Sequence, residues 1–255
     1  MRLCLALALL LGASAASAQT EAEQNPPITT VVVPVVGSVP GANGVQWKTD
    51  VELRNDFKTE VTVALTMPVT AGANVALLPI EPGATLRLTD IAAALGVENG
   101  LSPLLVQTSG HRSVTIRATA YGTRGTEMFP PQPIAINYGP SYFPVRVLRG
   151  LSFSDAYRIN IGLVNLGTTM AEFTLALQRL PGRNLAVARI SLLPNSLWHM
   201  SIQSAFPLIT SGDNFSVVVE TASPDTHIYA SVIENATNSA RFVQPSLGAS
   251  PLGAQ

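Results

Sequence analysis

The stretch Trp47 to Asn55, WKTDVELRN, has a partner further down the chain in Tyr157 to Asn165, YRINIGLVN. Placing Trp47 on Tyr157 gives an offset of 157 − 47 = 110, which also sets Asn55 on Asn165 and Pro34 on Pro144. Downstream the offset grows to 112, where Pro82 falls on Pro194 and Ala118 on Ala230, and then to 113, where Phe129 falls on Phe242. Colinear landmarks with a slow drift point to one duplicated structural unit, because insertions collect in loops while strands keep their length. A unit of about a hundred residues has the size of a domain rather than of a solenoid repeat.

Both partner stretches alternate with period two. Trp47, Thr49, Val51 and Leu53 share one face of the first, and Tyr157, Ile159, Ile161 and Leu163 share the matching face of the second. Such alternation predicts a strand buried on one side. Further short runs of the same kind follow at intervals of about 8–12 residues, separated by Gly and Pro turns, and this spacing predicts a sandwich. Each unit carries one short helical signal. In the first, Thr89 or Asp90 precedes IAAAL and Gly96 stops it; in the second, Ser201 precedes IQSAF and Pro207 stops it. Pro34 marks the run from Ile28 to Val36 as an edge strand or a bulged one.

The expected fold is therefore all-β, two tandem immunoglobulin-like β-sandwich domains, each with one short helix. The expected boundaries are a signal peptide over 1–18, a flexible leader over 19–27, the first sandwich over 28–135, a linker over 136–141, the second sandwich over 142–246 and a disordered tail over 247–255. The signal is read from MRLCLALALLLGASAASA, in which one Arg, an apolar run and small residues ending Ala16-Ser17-Ala18 precede Gln19. The apolar run is too short to span a bilayer, and no later stretch is long and apolar enough. Export to the periplasm or the cell exterior follows. Cys4, the only cysteine, lies inside the signal, so the remainder must be held together by core burial without disulfides.

A formal net charge of −1 with 12% charged residues supplies no basic field for nucleic acid. Chemistry-bearing patterns are equally sparse. His111, His199 and His227 do not cluster as zinc ligands do; the last two fall on outward strand positions matching Arg87 and Thr115 and read as solvated. Trp47 and Trp198 read as core anchors, the latter in the place of Leu86. Asp50 and Glu52 lie on one outward face, about 7 Å apart. Their counterparts are Asn160 and Gly162, and Lys48 and Arg54 flank them, so a salt-bridged row is expected rather than a catalytic pair. Ser152 and Ser154 lack a nucleophile elbow, and the GSVPGANG loop precedes a strand instead of a helix. No catalytic, cofactor or metal residues are assigned.

GANGVQWKTDVELRN, a Pro-Gly turn before TLRLTDIAAALG, and then the VENG loop with its strand pair resemble the tandem immunoglobulin-like or fibronectin-III-like repeats of secreted and surface proteins of bacteria. The second unit departs from the pattern, with SFSDA for the GANG loop and Ile159-Asn160 for Thr49-Asp50. The resemblance implies a spacer, adhesion or assembly role without shared catalytic residues. The expected function is thus a non-enzymatic scaffold or binding module for a protein or a surface polymer, with Asn43, Asp50 and Glu52 as the partner-facing residues of the first unit. A pilus-assembly type of chaperone acting by strand addition is the alternative, with Arg146 and Arg149, beside Arg158, as its carboxylate-anchoring residues. A carbohydrate-binding or hydrolytic protein is the third reading.

Overall fold

The computed structural model describes residues 28–68, 74–109, 114–138, 145–180 and 183–248. The segments expected as signal peptide and leader, and His111, lie outside them. The fold is mostly β, built of antiparallel sheets with two single-turn helices, α1 (Ile91–Ala94) and α2 (Ile202–Ala205).

In the first half, β1 (Ile28–Pro40), β2 (Gln46–Arg54), β3 (Val61–Met67), β4 (Asn74–Ile80), β5 (Thr85–Leu88), β6 (Gly100–Ser109), β7 (Thr115–Arg124), β8 (Glu127–Met128), β9 (Gln132–Ile134) and β10 (Asn137–Tyr138) form one ten-stranded set. It runs β4-β3-β6-β1-β2-β7-β8, with β10 on β1, β5 on β2 and β9 on β7. The second half contains β11 (Val145–Phe153), β12 (Tyr157–Asn165), β13 (Ala171–Leu180), β14 (Arg183–Leu192), β15 (Ser196–Ser201), β16 (Gly212–Glu220), β17 (Thr226–Glu234), β18 (Ala240–Val243) and β19 (Ser246–Leu247). These form two sheets, β14-β13-β16-β11-β19 and β15-β12-β17-β18.

The alternation expected for β2 is present from Thr49 on, whereas in β12 Tyr157, expected inside, is exposed and the strand is buried on both faces from Ile161 to Asn165. Thr49, Val51 and Leu53 are buried in the first half, the latter two in one hydrophobic cluster, and Ile159, Ile161 and Leu163 are buried in a separate cluster in the second. Full burial of such an aliphatic side chain stabilises a fold by about 1.5–3 kcal/mol. Pro34 falls where the register of β1 against β6 shifts, between Val33 and Val36. Beyond that bulge β1 stays paired with β6 as far as Ser38, and its end also pairs with β2, with Ser38 to Pro40 against Lys48 to Gln46. A single strand thereby joins what would otherwise be two leaves. β11 makes no such crossing, because it ends at Phe153 and a turn closed by hydrogen bonds between Ser154 and Tyr157 leads directly into β12.

Two details depart from the sequence reading. The segment expected as linker includes β10, which pairs Asn137 and Tyr138 with Val32 and Val31, and the expected tail contains Leu247, which pairs with Arg146. In both places a short flanking segment satisfies the free edge of β1 or β11. The helix caps differ as well. Asp90 and Ser201 occupy the N-cap positions, but neither side chain bonds the helix backbone. Asp90 adopts a left-handed conformation (φ 46°) and sends its carboxylate elsewhere.

Candidate functional site

Asn55 and Asn165 end β2 and β12 in the same way. Each is fully buried, and its side-chain oxygen accepts the N–H two residues on, from Phe57 and Gly167 respectively, which closes an Asx turn. The Asn55 Nδ2 donates to the carbonyls of Thr59 and Ile80, both at 2.8 Å. The Asn165 Nδ2 donates to those of Thr169 (2.8 Å), Leu193 (3.0 Å) and Leu192 (3.1 Å). These staples hold the strand end against the following hairpin, so they are structural groups with no spare valence for a ligand.

The outward face of β2 carries the acidic residues singled out by the sequence. Glu52 is paired with Arg87 at 3.0 Å and with Arg117 at 3.8 Å, its cross-strand neighbours on β5 and β7. Arg54 pairs with Asp56 instead, and Lys48 with Asp90 at 2.9 Å. Asp50 accepts the backbone N–H of Asp90 at 2.9 Å, and the Asp90 carboxylate also accepts a long bond from Ser38. This knot ties β1, β2 and the start of α1 together. The hydrogen bond from Lys48 to Asp90, and then the Asp90 charge, hold the lysine above its ordinary pKa. Burial and next the Asp50 charge raise Tyr121. Asn43 is exposed in the 3-10 turn Ala42–Gly44, at φ 58°.

The corresponding face of the second half is covered. Across β15, β12 and β17 lies the row His199, Gly162, Tyr229, occupying the places that Arg87, Glu52 and Arg117 take in the first half. The His199 Nδ1 and the Tyr229 hydroxyl are 2.8 Å apart, the two rings stack, and Tyr229 stacks in turn on Phe242 at 5.1 Å between centroids. Gly162 makes this possible, because a methyl group there would overlap the Tyr229 ring. Gly162→Ala is expected to lower stability by about 1–3 kcal/mol through overpacking. The midpoint of urea unfolding measures it, and a variant as stable as the parent would mean the ring has room to move.

This row forms one wall of a cavity of about 140 Å³ between the halves, whose opposite wall includes Trp47, Leu101 and Ile134. Phe242 belongs to β18 yet packs against the core cluster of the first half. Trp47 is half-buried on the cavity wall rather than in the core, whereas Trp198 packs against the second core. The two histidines read as solvated are covered. Their strand positions do face outward, but the first half lies on that face, with β1 and β6 residues closing over His227. Burial pushes both imidazoles down to about 4, and the Arg146 charge adds to the effect on His227.

Arg146 is buried beside His227. Its guanidinium donates to the carbonyl and hydroxyl of Thr226 at 2.6 and 2.7 Å, and burial lowers it to about 10. Arg149 is exposed and donates to Ser246, while Arg158 donates to Asn235 and Asn238. The three arginines therefore do not converge on one point. Among the described residues no group of three or more His, Cys, Asp or Glu residues is placed to hold a metal, and no helix is long and apolar enough to cross a membrane.

A cavity of this size holds no more than a small ring, since a void of about 150 Å³ accommodates benzene. On its wall the described partner of the His199 Nδ1 is the Tyr229 hydroxyl. Comparison of the chain with protein-family models, with curated proteins and with solved structures finds no match. Sequence reasoning read His199 as solvated and Asp90 as a helix cap, used Phe242 only as a landmark of the repeat, and did not single out Tyr229. The available signal was Gly162, a lone glycine inside the β-branched run of β12, which marks close approach by another group.

Proposed function

We propose that the chain is an exported, non-catalytic pair of tandem immunoglobulin-like sandwiches that serves as a stiff scaffold or binding module for a protein or a surface polymer. The duplication is supported by matching strand orders: β4-β3-β6-β1 with β10 corresponds to β14-β13-β16-β11 with β19, and β5, β2, β7, β9 to β15, β12, β17, β18. The matched Asn55 and Asn165 staples add to this.

The observation that carries the functional reading is the covered row His199, Gly162, Tyr229 with Phe242 bolted into the neighbouring core. An aromatic seam in place of an open charged face fixes one unit on the other, which suits a spacer that must present surfaces at a set distance and angle. Inter-domain contacts that are apolar in this way resist relative motion. Residual dipolar couplings measured on both halves should fit a single alignment tensor. Phe242→Ala should split them into two while each half keeps its fold. Independent tumbling of the halves in the parent protein would sink the scaffold reading. So would turnover of a glycan or ester panel that disappears on replacing one polar residue of the seam.

A further inference from the structure

The edge strands β4 and β14 occupy matching places, but they differ in how they treat a visitor. An edge strand presents alternate N–H and C=O groups away from its sheet, and natural proteins blunt it with proline, charge or bulges. In β4 this is done by Pro79, which sits opposite Thr62 and has no N–H to offer. The corresponding residue of β14 is Ser191, opposite Glu172. From Ala186 to Leu192 the pairing of β14 with β13 is unbroken, and among the described residues no strand pairs with its other side. The strand also exposes Leu185 (52%) and Val187 (50%). Beside it runs a groove of about 430 Å³, walled by Leu177, Phe206, Ile209 and Leu208, the last of which is 94% exposed.

β14 itself carries two arginines and no acid. Arg179, Arg183 and Arg189 lie on β13 and β14, and none makes an ion pair with a described residue. Glu172, diagonal to Arg189 across the ladder, does not pair with it either. Arg179 lies over the Phe215 ring, 5.3 Å from its centroid. We propose that β14 is a docking edge for an extended acidic segment of a partner protein, which adds to the five-stranded sheet as a sixth strand. Backbone bonds to the free edge of β14 supply affinity, the groove receives apolar side chains, and Arg183 and Arg189, on the other face of β14, select acids at alternate positions. A second copy of this chain fits less well, because the register that sets Leu185 against Val187 of the other copy also sets Arg183 against Arg189. The proposal rests on the binding-module reading and names the class of its partner.

The probe is a synthetic peptide of about ten residues that alternates Glu with Val and Thr, titrated at low salt by fluorescence anisotropy. Binding is expected, and it should weaken at least about tenfold in Val187→Pro and in Arg183→Glu/Arg189→Glu. Val187 has the parity of Ser191, so the tolerance of Pro79 in β4 indicates that proline there removes an outward N–H and spares the ladder. Circular dichroism and the melting temperature check that the variants fold. The charge-reversed protein should in turn prefer the matching Lys peptide. Binding unchanged by Val187→Pro, binding indifferent to peptide charge, or no binding at all would each overturn the proposal. Self-association in sedimentation that Val187→Pro abolishes would overturn it in favour of a second copy. None of these results bears on the single alignment tensor, which tests the scaffold reading separately.

Discussion

Acidification from neutral pH to about 4 is expected to remove on the order of 5 kcal/mol of stability through His199 and His227. Both imidazoles are held neutral by burial, with folded values near 4 against an ordinary 6.5. The sign follows from proton counting. Between about 6.5 and 4 the unfolded chain binds a proton at each histidine and the folded chain does not, so unfolding gains free energy as the pH falls. The loss is complete below the folded value and absent above about 7. Each histidine contributes about 2–3 kcal/mol, His199 at the lower end because part of its surface meets solvent. The groups that face them are Tyr229 and Lys48 at the cavity, and Arg146 and Asp225 around His227. Urea unfolding of the parent and of His199→Gln/His227→Gln at a series of pH values measures the difference. Parallel curves for the two proteins would show that neither ring is held neutral by the fold.

Asn165→Ala is expected to destabilise the second half by about 3–5 kcal/mol, in the range of a large core deletion. The alanine cannot replace the bonds to Thr169, Leu192 and Leu193 or the turn bond from Gly167. It leaves carbonyls beside a buried position without a donor, and each orphaned group costs about 1–3 kcal/mol. Asn55→Ala should cost somewhat less, since its amide serves two carbonyls instead of three. Denaturant unfolding monitored separately in each half decides the matter. A loss below about 1 kcal/mol at Asn165 would mean that water takes over these bonds.

How far this molecule could be read from its letters depends on whether the deciding interaction is local. Period two assigns Val51, Leu53, Ile159 and Ile161 to the interior, because a strand's two faces follow from its own sequence. The same rule puts His199 and His227 on the other face, and that too is right as far as it goes. What lies beyond that face depends on another segment of chain far away, which no local pattern reports. Trp47 shows the same limit: it shares the parity of the core yet ends at the seam, at the far end of β2 from Leu53. Asp90 was legible as a helix cap and proved to be a ligand for Lys48, because its left-handed backbone turns the carboxylate away from α1. The charged partners of Glu52 became visible only with the register, since Arg87 and Arg117 reach it across strands and not along one.

β1 leaves the first half with a mechanical property that its partner lacks. Two packed sheets open most readily by separating along the dry plane between them. In the second half the turn around Ser154 leads from β11 into β12, and the sheets are otherwise tied near that end by a side chain, Arg241 of β18 donating to the Gly150 carbonyl of β11. In the first half the continuous strand from Ile28 to Pro40 is paired with β6 as far as Ser38 and with β2 from Ser38 to Pro40. Prising the leaves apart then requires shearing a backbone ladder, so a load on one sheet is passed to the other along covalent bonds. The first half is built as a folded sheet, and the second as two plates.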